Sequence, residues 1–258
     1  MNKIFDTHAH YDDHAFDKDR KALLFGLLDN DVEYVMNVSA RVDEIKNSID
    51  LAEAFDFIYA AAGVHPSEVY ELTDKDYAYI ENSLQHKKVK AVGEIGLDYH
   101  YEDTQKDLQK EWFVKQIELA KKHNLPIIVH SRDAAADTLD IIKETDAKQT
   151  GGVIHCFSYE MEMAKIYLDM GFYIGIGGVL TFKNSRKLKE VVQMMPMDRI
   201  LLETDCPYLA PEPFRGQRND SSLIKYVVTE IANLKGIDED EVRRITNENA
   251  KRMYKIEE

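Results

Sequence analysis

Eight short apolar runs, separated by longer amphipathic segments, constrain the fold of this 258-residue chain more than any other feature of its sequence. The runs are rich in Ile, Val, Leu and Ala. They lack the strict alternation of a half-solvated strand, which indicates parallel strands buried on both faces. The predicted strands are Lys3–Thr7, Tyr34–Ser39, Ile58–Gly63, Ala91–Glu94, Pro126–His130, Gly152–His155, Phe172–Gly177 and Arg199–Thr204.

The longer segments carry the periodicity of amphipathic helices. In Thr104–His123, apolar residues recur at i, i+4 and i+7 with Lys, Glu and Gln between them, as on a helix with one buried stripe. Asp238–Tyr254 has a similar pattern and predicts a last helix. Eight successive strand–helix units predict an α/β fold, a (β/α)8 TIM-type barrel with a C-terminal extra helix.

A doubly wound open sheet is the alternative architecture. It is disfavoured because no Gly-x-Gly-x-x-Gly loop follows the first strand, and the glycines near the seventh strand are wrongly spaced for that motif. The length suits one barrel, so we expect residues 1–258 to form a single domain.

Charge and composition limit the partners of this chain. The formal net charge of -14 argues against a protein that coats duplex nucleic acid, because such proteins use Lys and Arg to neutralise phosphates. It is compatible with an enzyme that meets phosphates at one local site with metal cations. No apolar run approaches the roughly 20 residues of a membrane span. The N-terminus lacks a secretory signal and the chain has two cysteines, so we expect a cytoplasmic protein without membrane contact or an obligate protein partner.

Residue types that bind metal ions stand at the ends of most predicted strands. In a barrel these ends converge on one face, where active sites lie. The separations support convergence, because 36 residues from Glu94 to His130 and 25 from His130 to His155 each suit one strand–helix unit. The candidate metal ligands are His8, His10, Glu94, His130, His155 and Asp205.

These residue types indicate two metal ions. Imidazole and carboxylate suit Zn, Mn, Co or Fe better than Ca. His8 and His10 lie two residues apart in an extended segment, so their rings point to one side. We assign this pair and Asp205 to one ion, and the histidines that end strands five and six to the other. Glu94 is assigned to both, because one carboxylate can bridge cations about 3.5–4 Å apart.

Two further residues are candidates for binding a substrate phosphate. Arg132, two residues past a predicted ligand, could hold a phosphate through two hydrogen bonds. It could instead form a structural ion pair with Asp133 or Asp137. His65 could donate to a phosphate oxygen, or it could serve only as the turn residue before Pro66.

The remaining substrate-binding candidates are Tyr99 and Arg215. Tyr99 follows Asp98 just past the fourth strand, where the two residues could support metal ligands or stack on a base. Arg215 begins a basic segment, residues 215–219, that is rare in so acidic a chain. This segment could contact a nucleic-acid backbone or open the helix that follows.

Together these segments resemble the TatD family of metal-dependent deoxyribonucleases, within the amidohydrolase-like barrels. The match runs nearly end to end, and its most specific pieces are Gly-Glu-Ile-Gly-Leu-Asp at 93–98 and Glu-Thr-Asp-Cys-Pro at 203–207. The resemblance implies a 3′-to-5′ exonuclease or a related DNA-repair activity, with single-stranded DNA ends as the substrate. It also implies that the metal ligands are the six residues assigned above. Mg or Mn would activate the enzyme, and Zn fits the ligand set too.

Three places depart from the usual pattern of the family. Tyr11 stands where an aliphatic residue is commoner, and Ala136 where an acidic one is frequent. Asp220-Ser221-Ser222 replaces a run that contains proline. None of these changes removes a predicted ligand, and the last one bears on substrate preference.

The hypothesis for the reaction is hydrolysis of a DNA phosphodiester bond by a water that two metal ions activate. Asp205 would accept or orient the proton of that water, while Glu94 holds both ions. His65 or Arg132 would stabilise charge on the phosphoryl oxygens. One rival is a small-molecule amidohydrolase or lactonase on the same barrel, which a Glu bridge in place of a carboxylated Lys disfavours. The other is a non-catalytic metal-binding protein, which the complete ligand set disfavours.

Overall fold

Eight parallel strands surround the centre of the molecule in the computed structural model, which describes residues 1–101 and 104–256. The strands are β1 (Ile4–Ala9), β2 (Val32–Val38), β3 (Ile58–Ala61), β4 (Val89–Asp98), β5 (Ile127–Arg132), β6 (Gly152–Ile154), β7 (Tyr173–Ile176) and β8 (Ile200–Leu202). Each strand pairs with the next along the chain. A parallel bridge between Ala9 and Cys206 brings the first and last strands together, so the sheet forms a nearly closed barrel.

Helices follow every strand, as the TIM-type barrel requires. They are α1 (Arg20–Leu27), α2 (Val42–Ala54), α3 (Asp74–Ser83), α4 (Lys106–His123), α5 (Ala135–Glu144), α6 (Met161–Asp169), α7 (Arg186–Met194), α8 (Ile224–Lys235) and α9 (Glu239–Tyr254). The last strand is followed by two helices, and α9 is the predicted C-terminal extra helix. Among the described residues, no helix combines the length and apolar character needed to cross a membrane.

The predicted elements are confirmed in order and type, and their boundaries shift by a few residues. The largest shift is at β4, predicted over Ala91–Glu94 and observed over Val89–Asp98. Gly96 explains the extension: its φ is 141°, and a Cβ there would collide with the carbonyl of His130 on β5. The helix predicted over Thr104–His123 begins at Lys106, because the Thr104 hydroxyl bonds the carbonyl of Tyr101 and does not cap the helix.

Apolar side chains form one layer inside the barrel and another between the strands and the helices. On β2, Met36 belongs to the inner layer and Val35 to the outer one, so both faces of the strand are buried. Burial on both faces is the reason that the strand sequences do not alternate. Helix α9 closes the N-terminal end, where Asn249 bonds the carbonyl of Ile200 and Tyr254 packs into the inner layer. The opposite end of the barrel is left open.

Candidate metal centre

The open, C-terminal end of the barrel holds a cavity of about 520 Å³. Five of the six predicted ligands line it, and the sixth, His8, is buried directly beneath. The ligand atoms fall into groups whose members lie within 4.8 Å of one another. The convergence expected from the strand ends is therefore observed, and all six side chains meet.

A first group of donor atoms surrounds His8. Its Nε2 atom lies 3.1 Å from Nε2 of His10, 3.4 Å from Oε2 of Glu94 and 3.8 Å from Oδ1 of Asp205. Nε2 of His10 is 3.3 Å from the same Asp205 oxygen. Ligands bound at about 2.1 Å to one ion lie about 3.0 Å apart in octahedral and about 3.4 Å apart in tetrahedral geometry. Three of the four separations in this group fall in that range, and the fourth, between His8 and Asp205, is longer at 3.8 Å.

A second group lies on the other side of Glu94. Oε1 of Glu94 is 2.8 Å from Nδ1 of His130 and 3.1 Å from Nε2 of His155. The other carboxylate oxygen, Oε2, faces His8. Each oxygen of Glu94 thus belongs to a different group, which is the arrangement of a carboxylate that bridges two cations.

The outer nitrogens of the histidines fix which ring atom is available to a metal. Nδ1 of His10 lies 2.8 Å from the carbonyl of Val38, so it carries the proton and leaves the Nε2 lone pair facing the cluster. Nε2 of His130 lies 3.1 Å from Oδ2 of Asp98, which can accept its proton, while Nδ1 faces Glu94 at 2.8 Å. Metal-binding histidines usually donate their second N–H to a carbonyl or a carboxylate in this way.

Glu203 lies beside His155, with Oε1 at an ion-pair distance of 3.4 Å from Nδ1. The same oxygen accepts a hydrogen bond of 2.6 Å from the backbone N–H of Cys156. Gly175 on β7 makes room for this carboxylate, because a Cβ there would collide with Oε2. Glu203 was not among the site residues predicted from the sequence. Glu203 lies two residues before Asp205 near a strand end, and this spacing was the sequence signal that could have placed both side chains on the same side.

The cluster is electrostatically coupled. Burial alone would raise the pKa of Glu94, but the imidazoles of His155 and His8 outweigh it and hold the pKa well below its usual value. Burial opposes protonation of His155 too, yet the carboxylates of Glu94 and Glu203 raise its pKa well above the usual value. Buried carboxylates that are ionised among imidazoles form a donor set suited to divalent cations, which would displace the imidazole protons.

A buried polar network joins β1 to the residues that follow β8. Both oxygens of Asp6 accept hydrogen bonds, from the backbone and hydroxyl of Thr204 and from the hydroxyl of Ser221. Burial raises the pKa of Asp6 to about 7 in spite of these bonds. The Tyr11 hydroxyl lies 2.7 Å from that of Ser221. Tyr11 and Ser221, at two of the departures from the family pattern, are therefore bonded to each other.

Two of the four predicted substrate-binding residues, His65 and Arg132, line the cavity. Nδ1 of His65 accepts a hydrogen bond from the backbone N–H of Ser67, so its other nitrogen carries the proton. Burial, reinforced by His130, lowers the pKa of His65 to about 3. His65 is thus a neutral N–H donor.

The ion pair considered as an alternative for Arg132 is not formed. Asp133 contacts His100, while Asp137 accepts from Tyr99 and pairs with Lys110. Within residues 1–101 and 104–256, the guanidinium of Arg132 forms no hydrogen bond or ion pair, and it remains exposed at the cavity.

The other two candidates, Tyr99 and Arg215, are not among the residues that line the cavity. The Tyr99 hydroxyl donates to Asp137 and its ring lies under Lys106, so the side chain points toward the helices. Arg215 stacks on Phe182. These contacts with residues distant in sequence decide where both side chains point. The cavity is lined also by residues that were not predicted from the sequence: Tyr101, Tyr208, Asp12, Asp13 and Glu44.

Known proteins resemble this chain along nearly its whole length. The family model described as TatD related DNase matches residues 5–255. The chain belongs to the TatD-related DNase family. It is 46% identical to the uncharacterized metal-dependent hydrolase YabD of Bacillus subtilis, over 98% of this chain and 99% of that protein. It is 35% identical to the uncharacterized metal-dependent hydrolase YcfH of Escherichia coli K12, over 98% and 96% of the two chains.

A solved structure of the TatD family shares the barrel. The crystal structure of YjjV, a TatD homologue from Escherichia coli K12, superposes with a TM-score of 0.93 at 30% identity and covers 98% of both chains. The shared barrel therefore spans nearly the whole length of both chains.

Proposed function

We propose that this TatD-family protein is a metal-dependent deoxyribonuclease that removes nucleotides from single-stranded DNA ends, in the 3′-to-5′ direction, in DNA repair or degradation. The observation that carries the proposal is the position of Glu94, whose two oxygens face two separate groups of imidazole and carboxylate donors. Membership of the TatD-related DNase family supports nucleic acid as the substrate class. We also propose that residues 1–258 act as one domain, because β1 and β8 adjoin.

The two donor groups suit two divalent cations such as Mg, Mn or Zn. His8, His10 and Asp205 would hold one ion, His130 and His155 the other, and Glu94 both, as the distances between their donor atoms suggest. When bound, the ions would supply Lewis-acid stabilisation of the phosphate and a water of lowered pKa. The outer hydrogen bonds to Val38 and Asp98 keep the ligating lone pairs aimed into the cluster.

The residues around the metal centre bind the phosphate and transfer the proton. The neutral His65 donates its N–H to a phosphoryl oxygen, and the unpaired Arg132 binds the same phosphate by charge and hydrogen bonds. Asp205 faces the cavity and takes the proton of the attacking water. The water oxygen bonds to phosphorus as the P–O bond to the leaving sugar oxygen of the shortened strand breaks, and that sugar oxygen receives a proton from solvent.

A small-molecule amidohydrolase is less well supported. Enzymes of that kind that bridge their metals through a carboxylated lysine need a lysine at the cluster. Among the described residues that line the cavity there is none, and a glutamate stands at the bridging position.

The test starts from purified protein that has been stripped of metal and reloaded separately with Mg²⁺, Mn²⁺ or Zn²⁺. Single-stranded DNA labelled at the 5′ or the 3′ end, blunt duplex DNA, an RNA strand of the same sequence and a panel of lactones are offered in parallel. We expect a ladder of shortened 5′-labelled single-stranded DNA. Glu94→Gln should reduce turnover about 100-fold or more, since it disturbs both ions at once.

Glu190→Gln is the matched control, because Glu190 is exposed on α7 and pairs only with Arg186 among the described residues. Lactone hydrolysis without DNA cleavage would establish the amidohydrolase instead. Metal uptake without any hydrolysis would establish a non-catalytic metal-binding protein. Near-normal turnover by Glu94→Gln would refute the bridging role.

A further inference from the structure

We propose that Tyr101 and Tyr208 form a two-sided stacking site for the terminal nucleobase at the mouth of the cavity. This inference rests on the proposed function and adds to it the group of the substrate that the mouth recognises. Both side chains line the cavity that contains the candidate metal ligands.

The barrel topology places the two tyrosines on opposite sides of the mouth. Tyr101 lies three residues past the end of β4, and Tyr208 lies three residues past Asp205, beyond β8. In a ring ordered β1 to β8, these two strands are four positions apart in either direction, so their ends face each other across the barrel. A flat group that enters between them toward the metal centre meets an aromatic ring on each side.

Both tyrosine side chains are largely exposed to solvent. Tyr101 is 65% exposed and Tyr208 is 55% exposed. Tyr208 is nevertheless held in place, because its hydroxyl donates a hydrogen bond of 2.9 Å to Asp13. The Tyr101 ring rests edge-on against the ring of His100, with centroids 5.1 Å apart. Exposed aromatic rings at the mouth of such a cavity suit base stacking, which tolerates any base because every base has a π-face.

The charges around the mouth indicate where the terminal base and the backbone of the substrate lie. Asp12 and Asp13 follow β1, and Glu44 lies in the first turn of α2 after β2. This acidic side repels phosphates, so the part of the substrate that rests there is uncharged. Arg132, at the end of β5, is the one Lys or Arg among the described residues that line the cavity.

The polynucleotide backbone therefore leaves the cavity past Arg132, and the terminal base lies against Tyr208 on the acidic side. A strand that continued in both directions would carry phosphates across Asp12, Asp13 and Glu44. This asymmetry favours a strand end over an internal site. It also requires the terminal base of a duplex to unpair before it can enter.

The experiment compares DNA oligonucleotides that end in a normal nucleotide with oligonucleotides of the same length that end in an abasic one. Stacking contributes about 1–3 kcal/mol per base, equivalent to about 5- to 150-fold. We expect Tyr101→Ala and Tyr208→Ala each to lower kcat/KM on the normal end by such a factor, mainly through KM. On the abasic end, wild type and variants should agree within about threefold, because there is no base to stack.

Tyr101→Phe and Tyr208→Phe keep the aromatic rings, so their KM should lie close to that of the wild type. Tyr79→Ala is the control for loss of a surface tyrosine, since Tyr79 is 39% exposed on α3 and does not line the cavity. Equal losses on normal and abasic ends would refute stacking while leaving the nuclease proposal intact. Absence of DNA cleavage by wild type with every metal would overturn the nuclease proposal and the stacking site with it.

Discussion

Replacing Asp98 by asparagine tests the idea that a hydrogen bond outside the metal centre sets the ligating atom of His130. Asp98 is buried, and its carboxylate accepts on both sides: Oδ2 lies 3.1 Å from Nε2 of His130, and Oδ1 accepts from the backbone N–H of His100 at 2.9 Å. An asparagine amide has one oxygen and one NH₂ group, so it can accept on only one of these sides.

Either orientation of the asparagine has a cost. If its NH₂ group faces His130, Nε2 must become the acceptor and the ring proton moves to Nδ1, the atom that faces Glu94 at 2.8 Å. That proton blocks the lone pair a metal needs. If the amide is turned over, its NH₂ group meets the N–H of His100 and a buried donor is left unsatisfied, at about 1–3 kcal/mol. Loss of such outer partners typically lowers metal affinity by about 10- to 100-fold, or about 1.4–2.7 kcal/mol.

The assay is calorimetric titration of metal-free protein with Mn²⁺, followed by the Mn²⁺ dependence of DNA cleavage. We expect the affinity of one of two sites to fall by that factor while the site of His8 and His10 changes little. Asp133→Asn is the matched control, since Asp133 is mostly exposed and contacts only the ring of His100 among the described residues. An Asp98→Asn protein that binds both ions within twofold of wild type would refute the reasoning.

Three further predictions use other parts of the structure. Gly175→Ala should destabilise the protein by about 1–3 kcal/mol, because the added methyl displaces Glu203. In the control Gly26→Ala the methyl meets open space in α1, so this variant should be as stable as wild type or more stable. Equal melting temperatures for the two variants would contradict this. Tyr11→Phe and Ser221→Ala should each lower the free energy of unfolding, measured by chemical denaturation, by about 1–2 kcal/mol. The double mutant should lose less than the sum of the two, because both substitutions break the same hydrogen bond. Strict additivity would exclude that bond. Removing metal with a chelator should abolish cleavage and lower the melting temperature, and adding Mn²⁺ should restore both; a melting curve that does not respond to metal would argue against a site that binds only the folded protein.

Sequence alone was sufficient to predict the barrel and the convergence of six metal-binding side chains at one end of it, and the reason is local. Runs buried on both faces predict parallel strands, and a residue at a strand end is carried to the C-terminal face by the strand itself. His130 and His155 meet Glu94 because each ends its own strand, so no knowledge of the loops was needed. The extra length of β4 was missed because it depends on Gly96, which packs against a carbonyl of β5.

Tertiary structure decided the residues beyond the strand ends. Tyr99 and Tyr101 are two positions apart, yet only Tyr101 lines the cavity, because Asp137 on α5 holds the Tyr99 hydroxyl. Glu203 faces His155 through space that Gly175 leaves open on a neighbouring strand. Loop side chains take their direction from partners far away in the sequence, and no periodicity records those partners. The sequence therefore determined which residues reach the open end of the barrel, and only the packed structure determined which of them face the cavity.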